Sequence, residues 1–458
     1  MLRILRKKKP QRYFLLAISL SFLAGIVLIF YVDDKPGTSF FNNESLNYKK
    51  FRKSIQSNLQ VFNNISWGDF LAKDNDGTKR NSSFVMKYRD DDRKAVNKSS
   101  LIVNYNVHIF YYPWYGTPKI DGKYYHWNHP YLPHWDKKEN KKWPNGSHVP
   151  PHDIGANFYP KLGPYSSKDP MVLDQHMKWI QMSGAGVVSV SWYPPDDADN
   201  EGKEPDQLVP AIMDAANKYK LKVNFHIEPY KNRNPATLRT NVQYILKKYG
   251  KHPAFYRHYI KSKKKHLPLF YIYDSYQTAA SEWAKLFKPG KSGSIRNTDL
   301  DGIFIALLVE RQHKEDIFKS GFDGFYTYFA SDTFTYGSSW RNWREIQKFA
   351  RTRNMVFIPS VGPGYIDTRV RAWNGRNIHD RQDGNYYISY LRAALDVGCS
   401  FLSVTSFNEW HEGTQVEPAI PKSDSANKYS YLNYGKESPE FYLHLTKKYV
   451  MKIGTAEK

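Results

Sequence analysis

The chain reads as an α/β protein: a (β/α)8 TIM barrel with long β/α loops, preceded by a single N-terminal transmembrane helix and a flexible stem. Three observations predict this. From residue 107 onward, strand-like runs alternate eight times with helix-like runs, the pattern of a parallel sheet. Inside those strands apolar residues alternate with polar ones, so one face suits a helix layer and the other a polar interior. Ahead of the alternation lies a nearly unbroken apolar run, 13–32, followed by a polar stretch, 33–104.

The elements follow in order. Residues 1–12 carry Arg3, Arg6, Lys7, Lys8, Lys9 and Arg12 and read as a cytoplasmic tail. Residues 13–32 have the length that spans a bilayer as one helix. The run closes on Leu28-Ile29-Phe30-Tyr31-Val32, without the small residues of a cleavage site, so it reads as an uncleaved signal anchor. Its basic flank stays cytoplasmic and the remainder is lumenal. Residues 33–104 lack sustained periodicity and read as a lumenal stem. Asn-x-Ser sequons at Asn43, Asn64, Asn81, Asn97 and Asn145 agree with a lumenal location.

Residues 105–458 hold the barrel. Its strands are read at 107–112, 186–193, 222–229, 267–274, 302–310, 324–330, 355–361 and 401–407. Amphipathic stretches at 171–182, 206–219, 237–249, 340–352 and 439–451 supply helices between and after them.

A formal charge of +23 raises the question of nucleic acid, but the basic residues are dispersed and no groove-reading motif is present. Nucleic acid is therefore excluded as a partner. The single cysteine, Cys399, cannot form an intrachain disulfide and reads as a buried structural thiol. Asp90-Asp91-Asp92 and Asp299-Leu300-Asp301 contain the Asp-x-Asp pair that many sugar-nucleotide transferases use for a metal, yet neither follows a strand end. Both read as solvated charges.

The chemistry concentrates in Ser406-Phe407-Asn408-Glu409-Trp410-His411-Glu412-Gly413-Thr414. Hydrolysis of a sugar–sugar bond uses one carboxyl group to protonate the leaving oxygen and a second to supply or generate the nucleophile. Glu409 and Glu412 are that candidate pair, flanked by Asn408 and Trp410. Positions three apart on a strand face opposite ways, so the chain must turn after the strand to bring the acids together. The same strand register places Tyr112, Tyr193, Glu228, Tyr273 and Tyr328 at the C-terminal mouth, where barrel enzymes keep their chemistry. His226 and Glu228 point inward together, the acid as a hydroxyl acceptor. His126 and His129, with His134 and Trp135 downstream, match no familiar metal-ligand spacing and read as sugar contacts. No metal and no cofactor is expected. A lumenal glycosyltransferase shares the anchor, stem and lumenal domain, and a glycan-binding lectin would use the same aromatic cleft. A lectin leaves the acid pair without a purpose.

Six blocks in order carry a resemblance: Phe110-Tyr111-Tyr112-Pro113-Trp114-Tyr115-Gly116, His126-Trp127-Asn128-His129-Pro130, Ser191-Trp192-Tyr193-Pro194-Pro195, His226-Ile227-Glu228-Pro229-Tyr230, Gly362-Pro363-Gly364-Tyr365-Ile366-Asp367, and the 406–414 segment. From about residue 105 onward the chain resembles glycoside hydrolase family 99. The resemblance implies a single-pass type II enzyme of the Golgi membrane acting on glucosylated high-mannose N-glycans. Such an enzyme cuts the internal α-1,2-mannosidic bond with retention of configuration. It also implies Glu409 as the base that deprotonates the sugar's own 2-hydroxyl, giving a 1,2-anhydro sugar, and Glu412 as the acid. Trp192 and Tyr193 would wall the terminal glucose, and Glu228 would accept a hydroxyl. Tyr112, Tyr328 and Arg371 follow from motif neighbourhood.

Overall fold

The computed structural model describes residues 102–195, 197–424 and 429–454, and the backbone of 13–18 and 27–32. Where the sequence predicts one helix over 13–32, the structure has two antiparallel strands, Tyr13–Ile18 and Val27–Val32, with Tyr13 opposite Val32. The physical reason lies in the composition: aromatic and β-branched residues favour a strand, and a hairpin also pairs its own backbone groups. Among the described residues no helix is long and apolar enough to cross a membrane. The predicted tail and almost all of the predicted stem lie outside the described residues.

Eight parallel strands form the barrel wall: β1 (Asn104–Tyr111), β2 (Ala185–Trp192), β3 (Lys222–Ile227), β4 (Lys265–Ile272), β5 (Ile303–Leu307), β6 (Gly324–Tyr326), β7 in two pieces (Val356–Ile358 and Ser360–Val361) and β8 (Leu402–Val404). Consecutive strands are neighbours, and β8 pairs with β1 through Val404 opposite Ile109. The first piece of β7 pairs with β6 and the second with β8, so the barrel is closed except at the break, Pro359. Hydroxyl side chains take over there. Ser360 N–H donates to Thr327 Oγ1 (2.9 Å), Tyr328 N–H donates to Ser360 Oγ (2.7 Å), and the Ser360 and Ser403 hydroxyls meet at 2.8 Å.

Each strand is followed by a helix: α1 (Pro170–Ser183), α2 (Val209–Lys218), α3 (Pro235–Tyr249), α4 (Ala280–Phe287), α5 (His313–Ser320), α6 (Trp343–Thr352), α7 (Asn385–Asp396) and α8 (Phe441–Val450). Local sequence sets their ends. Asp169 caps α1 by accepting from Met171 N–H ahead of Pro170, and Gly184 ends it at φ 78°. Asn234 and Thr237 make a reciprocal capping box at the start of α3. In α1 the buried Val172, Leu173, His176, Met177 and Ile180 recur at helical spacing and face the sheet.

The interior is aromatic and polar, as the alternation predicts. Bonds between strands that are not neighbours must cross it. His108 Nδ1 on β1 meets the Tyr271 hydroxyl on β4 at 2.7 Å, and His226 Nε2 on β3 meets the Tyr326 hydroxyl on β6 at 2.7 Å. The sixth strand, predicted to reach residue 330, ends at Tyr326 because Tyr328 takes φ 50°. A bulky side chain rarely adopts that conformation. Here Ser360 Oγ holds the residue's N–H, and Thr405 Oγ1 donates to its carbonyl at 2.5 Å. Asp301 is also unlike its prediction: it is buried and paired with Arg296 and Lys263 beneath β5. Cys399 is buried, its thiol donating to Ala394 O.

Candidate active site

The segment after β8 closes on itself. Ser406 N–H donates to Thr414 O (3.0 Å), their hydroxyls meet at 2.9 Å, and Glu409 N–H donates to Ser406 Oγ (2.8 Å). Gly413 at φ 62° completes the turn, and a Cβ there would lie 2.7 Å from the Ile366 carbonyl. The loop thus brings two residues three apart to one place. Glu412 N–H donates to Glu409 Oε2 at 2.6 Å, and Glu409 and Glu412 are only 1% and 2% exposed.

Burial raises both carboxyls above the usual range, and the two are pushed apart. Glu409 is favoured as the anion: it accepts the Glu412 N–H and faces the charges of Arg371 and His126. Glu412 is raised by burial and then by the Glu409 charge, which holds its proton on. One of its oxygens, Oε1, has no partner within the protein. A pair of acids whose surroundings separate their proton affinities is an acid and a base in one site.

Around the pair, the structure gathers most of the predicted contacts. The Tyr112 and Tyr328 hydroxyls meet at 2.5 Å. Burial, followed by the charge of Glu228, holds the Tyr112 phenol well above its ordinary range, and Glu412 and Glu409 add to it. Glu228 is fully buried. Its Oε1 accepts from the Ser191 hydroxyl (2.7 Å) and pairs with His226 Nδ1 (3.0 Å), while Oε2 has no partner. The Tyr273 hydroxyl is likewise buried without a partner. Tyr193 is buried at the mouth, and just beyond it a cavity of about 430 Å³ is lined by Pro194, Pro195, Asp197 and Tyr230. Arg371 donates to Asp367 Oδ2 at 3.1 Å.

Four predicted contacts turn out to support the site instead. Trp192 is fully buried on the outer face of β2, its Nε1–H donating to Asp206 and its ring beside Phe225 and Tyr244. With Ser191 and Tyr193 pointing inward, period two sends Trp192 outward. His226 has both ring nitrogens engaged, by Glu228 and Tyr326, and orients the acid. Asn408 accepts from Tyr112 N–H (2.8 Å) and donates to Tyr112 O (2.9 Å), which locks the end of β1 to the catalytic loop. Trp410 is fully buried and donates from Nε1 to Glu417 Oε2.

The histidines of the first β/α loop do reach the mouth. His126 stacks on Trp114 (4.5 Å, 9°), and its Nε2 lies 2.9 Å from Asp199. The His129 ring lies 4.7 Å from that of His411, and burial with the neighbouring His126 pushes its pKa down to about 3. His134 and Trp135 stack on each other against Trp373 on the surface. Among the described residues no group of three or more His, Cys, Asp or Glu side chains is placed to hold a metal ion.

Residues the sequence reading passed over include Asp367, which also accepts from the Tyr365 hydroxyl and Asn374, and the loop acids Asp199 and Glu201. Asp367 ends a motif singled out above, so its position was visible. Asp199 and Glu201 sit in an acidic loop just past β2, a weaker signal.

Fold and site define the class: a barrel glycosidase with its acid pair on the loop that follows the last strand. Residues 102–455 match the family model for glycosyl hydrolase family 99, and the chain belongs to that family. It is 57% identical over 346 residues to the glycoprotein endo-alpha-1,2-mannosidase of Xenopus laevis, covering 76% of each chain. It is 53% identical over 350 residues to the glycoprotein endo-alpha-1,2-mannosidase-like protein of Homo sapiens, again covering 76% of each. The solved GH99 endo-alpha-mannosidase of Bacteroides thetaiotaomicron superposes with a TM-score of 0.69 at 44% identity, covering 76% of this chain and 98% of that one.

Proposed function

We propose that this enzyme is a retaining, endo-acting glycoside hydrolase that cleaves the internal α-1,2-mannosidic bond of glucosylated high-mannose N-glycans, releasing a glucosyl-mannose oligosaccharide. The observation that carries this reading is the buried Glu409–Glu412 pair, tied by the 2.6 Å bond from Glu412 N–H, in a chain whose relatives include proteins named glycoprotein endo-alpha-1,2-mannosidase. Glu409 takes the proton of the mannose 2-hydroxyl as O2 bonds to C1. The C1–O bond to the next sugar breaks, and its oxygen takes the proton from Glu412. Glu412 then deprotonates a water that attacks C1, the C1–O2 bond breaks, and O2 regains its proton from Glu409. Substrate-assisted routes of this kind fall outside the distance rule for ordinary retaining pairs. Glu228 Oε2 and the Tyr273 hydroxyl, buried and unpartnered, are suited to the donor sugar's hydroxyls.

Mass analysis of products from a glucosylated high-mannose glycan tests the reading: a released glucosyl-mannose oligosaccharide supports it, and an untouched glycan overturns it. A 2-deoxy-mannoside at the cleaved position should resist turnover, and its hydrolysis would exclude the anhydro route.

We propose further that the apolar 13–32 run attaches the enzyme to the Golgi membrane as a single-pass type II protein, which requires these residues to form one helix in the bilayer in place of the two short strands. The basic 1–12 tail before the apolar run, and the sequons beyond it, support this placement. Carbonate extraction and endoglycosidase sensitivity of the expressed chain test it.

A further inference from the structure

We infer that Asp199 and Glu201 are positioning residues that hold His126 as an imidazolium facing the catalytic acids, and that the buried Asp121–Lys203 ion pair fastens the loop that carries them. The inference rests on the reading of Glu409 as the base.

The proton assignment follows from donors and acceptors. His411 Nδ1 lies 2.7 Å from Gly155 O, and a carbonyl only accepts, so this nitrogen carries the hydrogen. Burial disfavours a charge on His411, and with the hydrogen on Nδ1 the neutral ring leaves its Nε2 a bare acceptor. His126 Nδ1 faces that acceptor at 3.4 Å, which places it to donate. On the other side of the ring, His126 Nε2 lies 2.9 Å from Asp199 Oδ2. Asp199 is the anion by its bonding: Oδ1 accepts the N–H groups of both Glu201 and Lys203, and Oδ2 is left to face the imidazole. His126 therefore donates from both nitrogens, which only the cation can do.

The backbone is held as firmly as the ring. His126 sits at φ 61°, and its N–H donates to Glu201 Oε2 at 2.6 Å. Lys203 Nζ donates to Asp121 Oδ1 at 2.7 Å and lies 4.3 Å from the Tyr125 ring centre, tying the loop after β2 to the loop after β1. The titratable groups facing the imidazolium are Asp199 and Glu201 from the second loop, His411 and Glu409 from the catalytic loop, His129 from its own loop and Tyr115 from the segment after β1. Its charge joins that of Arg371 in favouring the anion of Glu409, against Asp367 and the burial that oppose it.

The test is the pH profile of kcat/KM on a glucosyl-mannosyl fluoride, whose leaving group needs no proton, so the acidic limb reports the base. In Asp199→Asn the imidazole loses its counter-charge and turns neutral, and the acidic limb should move up by about 0.5–1 pH unit. Lys203→Met should move it the same way by less, and Asp199→Glu should restore part of the shift. An Asp199→Asn limb that superposes on the wild type, whatever the height of the profile, overturns the inference. Nitrogen-15 spectra of histidine-labelled wild-type enzyme give a readout independent of turnover and of any variant's folding. At pH 7 the His126 ring should show two protonated nitrogens, and a neutral ring overturns the inference. Wild-type enzyme that leaves the fluoride intact counts against the proposed function, while the spectrum still decides the imidazolium.

Discussion

The backbone N–H of Glu412 points at Oε2 of Glu409, 2.6 Å away, so the residue proposed as the acid also steadies the proposed base. The two roles separate cleanly on substitution, because changing the Glu412 side chain leaves its N–H in place.

Glu412→Gln should fold, bind and keep the hydrogen bond to Glu409, yet lose about 100- to 10,000-fold in kcat on the natural glycan. On an activated fluoride the loss should be far smaller. Equal damage on both substrates would remove Glu412 from the acid role. Glu409→Gln should suffer on both alike.

Asn408 joins the catalytic loop to β1 through its two bonds to the Tyr112 backbone. Asn408→Ala strands a buried N–H and a buried carbonyl, and stability should fall by about 2–4 kcal/mol. Denaturant unfolding measures this. A cost below about 0.5 kcal/mol would show that the loop holds its place by other means.

His108 lies on the fully buried barrel axis, where burial, followed by the charge of His258, pushes its pKa down to about 3 from an unfolded value near 6.5. The sign follows from proton uptake: between these values the unfolded chain binds a proton that the folded chain refuses. Stability is full above pH 6.5 and is lost as pH falls toward 3, at up to about 1.4 kcal/mol per pH unit for this one group. His108→Gln should flatten the dependence of unfolding free energy on pH between 6.5 and 4. An unchanged slope would contradict the assignment.

Cys399→Ser should keep turnover within about twofold, because the hydroxyl can donate to Ala394 O as the thiol does and the residue touches neither acid. A folded variant that loses about a hundredfold, roughly 2.7 kcal/mol in transition-state stabilisation, would overturn this.

The barrel was legible because two periodicities were written over each other. Ser189, Ser191 and Tyr193 against Val188 and Val190 announce a strand with a polar interior, and the spacing of Val172, Leu173, His176 and Ile180 announces the helix before it. The acid pair was legible from chemistry, since few other reasons put two carboxylates three apart after a buried strand. Contacts were harder to read. Trp192 was drawn toward the glycan by its motif although its own register sends it outward, and His226, Asn408 and Trp410 spend their polar atoms on protein partners. Asp199 and Glu201 stayed hidden because a loop has no period, and its path depends on bonds such as Lys203 to Asp121 that join distant parts of the chain.

The wall between β6 and β8 is stitched by Thr327, Ser360, Ser403 and Thr405, not by an unbroken peptide ladder. A ladder is blind to side-chain identity; stitching is not. Elsewhere on the barrel a small substitution changes how space is filled. Here the loss of one oxygen atom unfastens the backbone beneath Tyr328, whose hydroxyl meets that of Tyr112 at the mouth. Tolerance to mutation should therefore be uneven around the circumference, and lowest at small residues whose hydroxyls, judged by size alone, look replaceable.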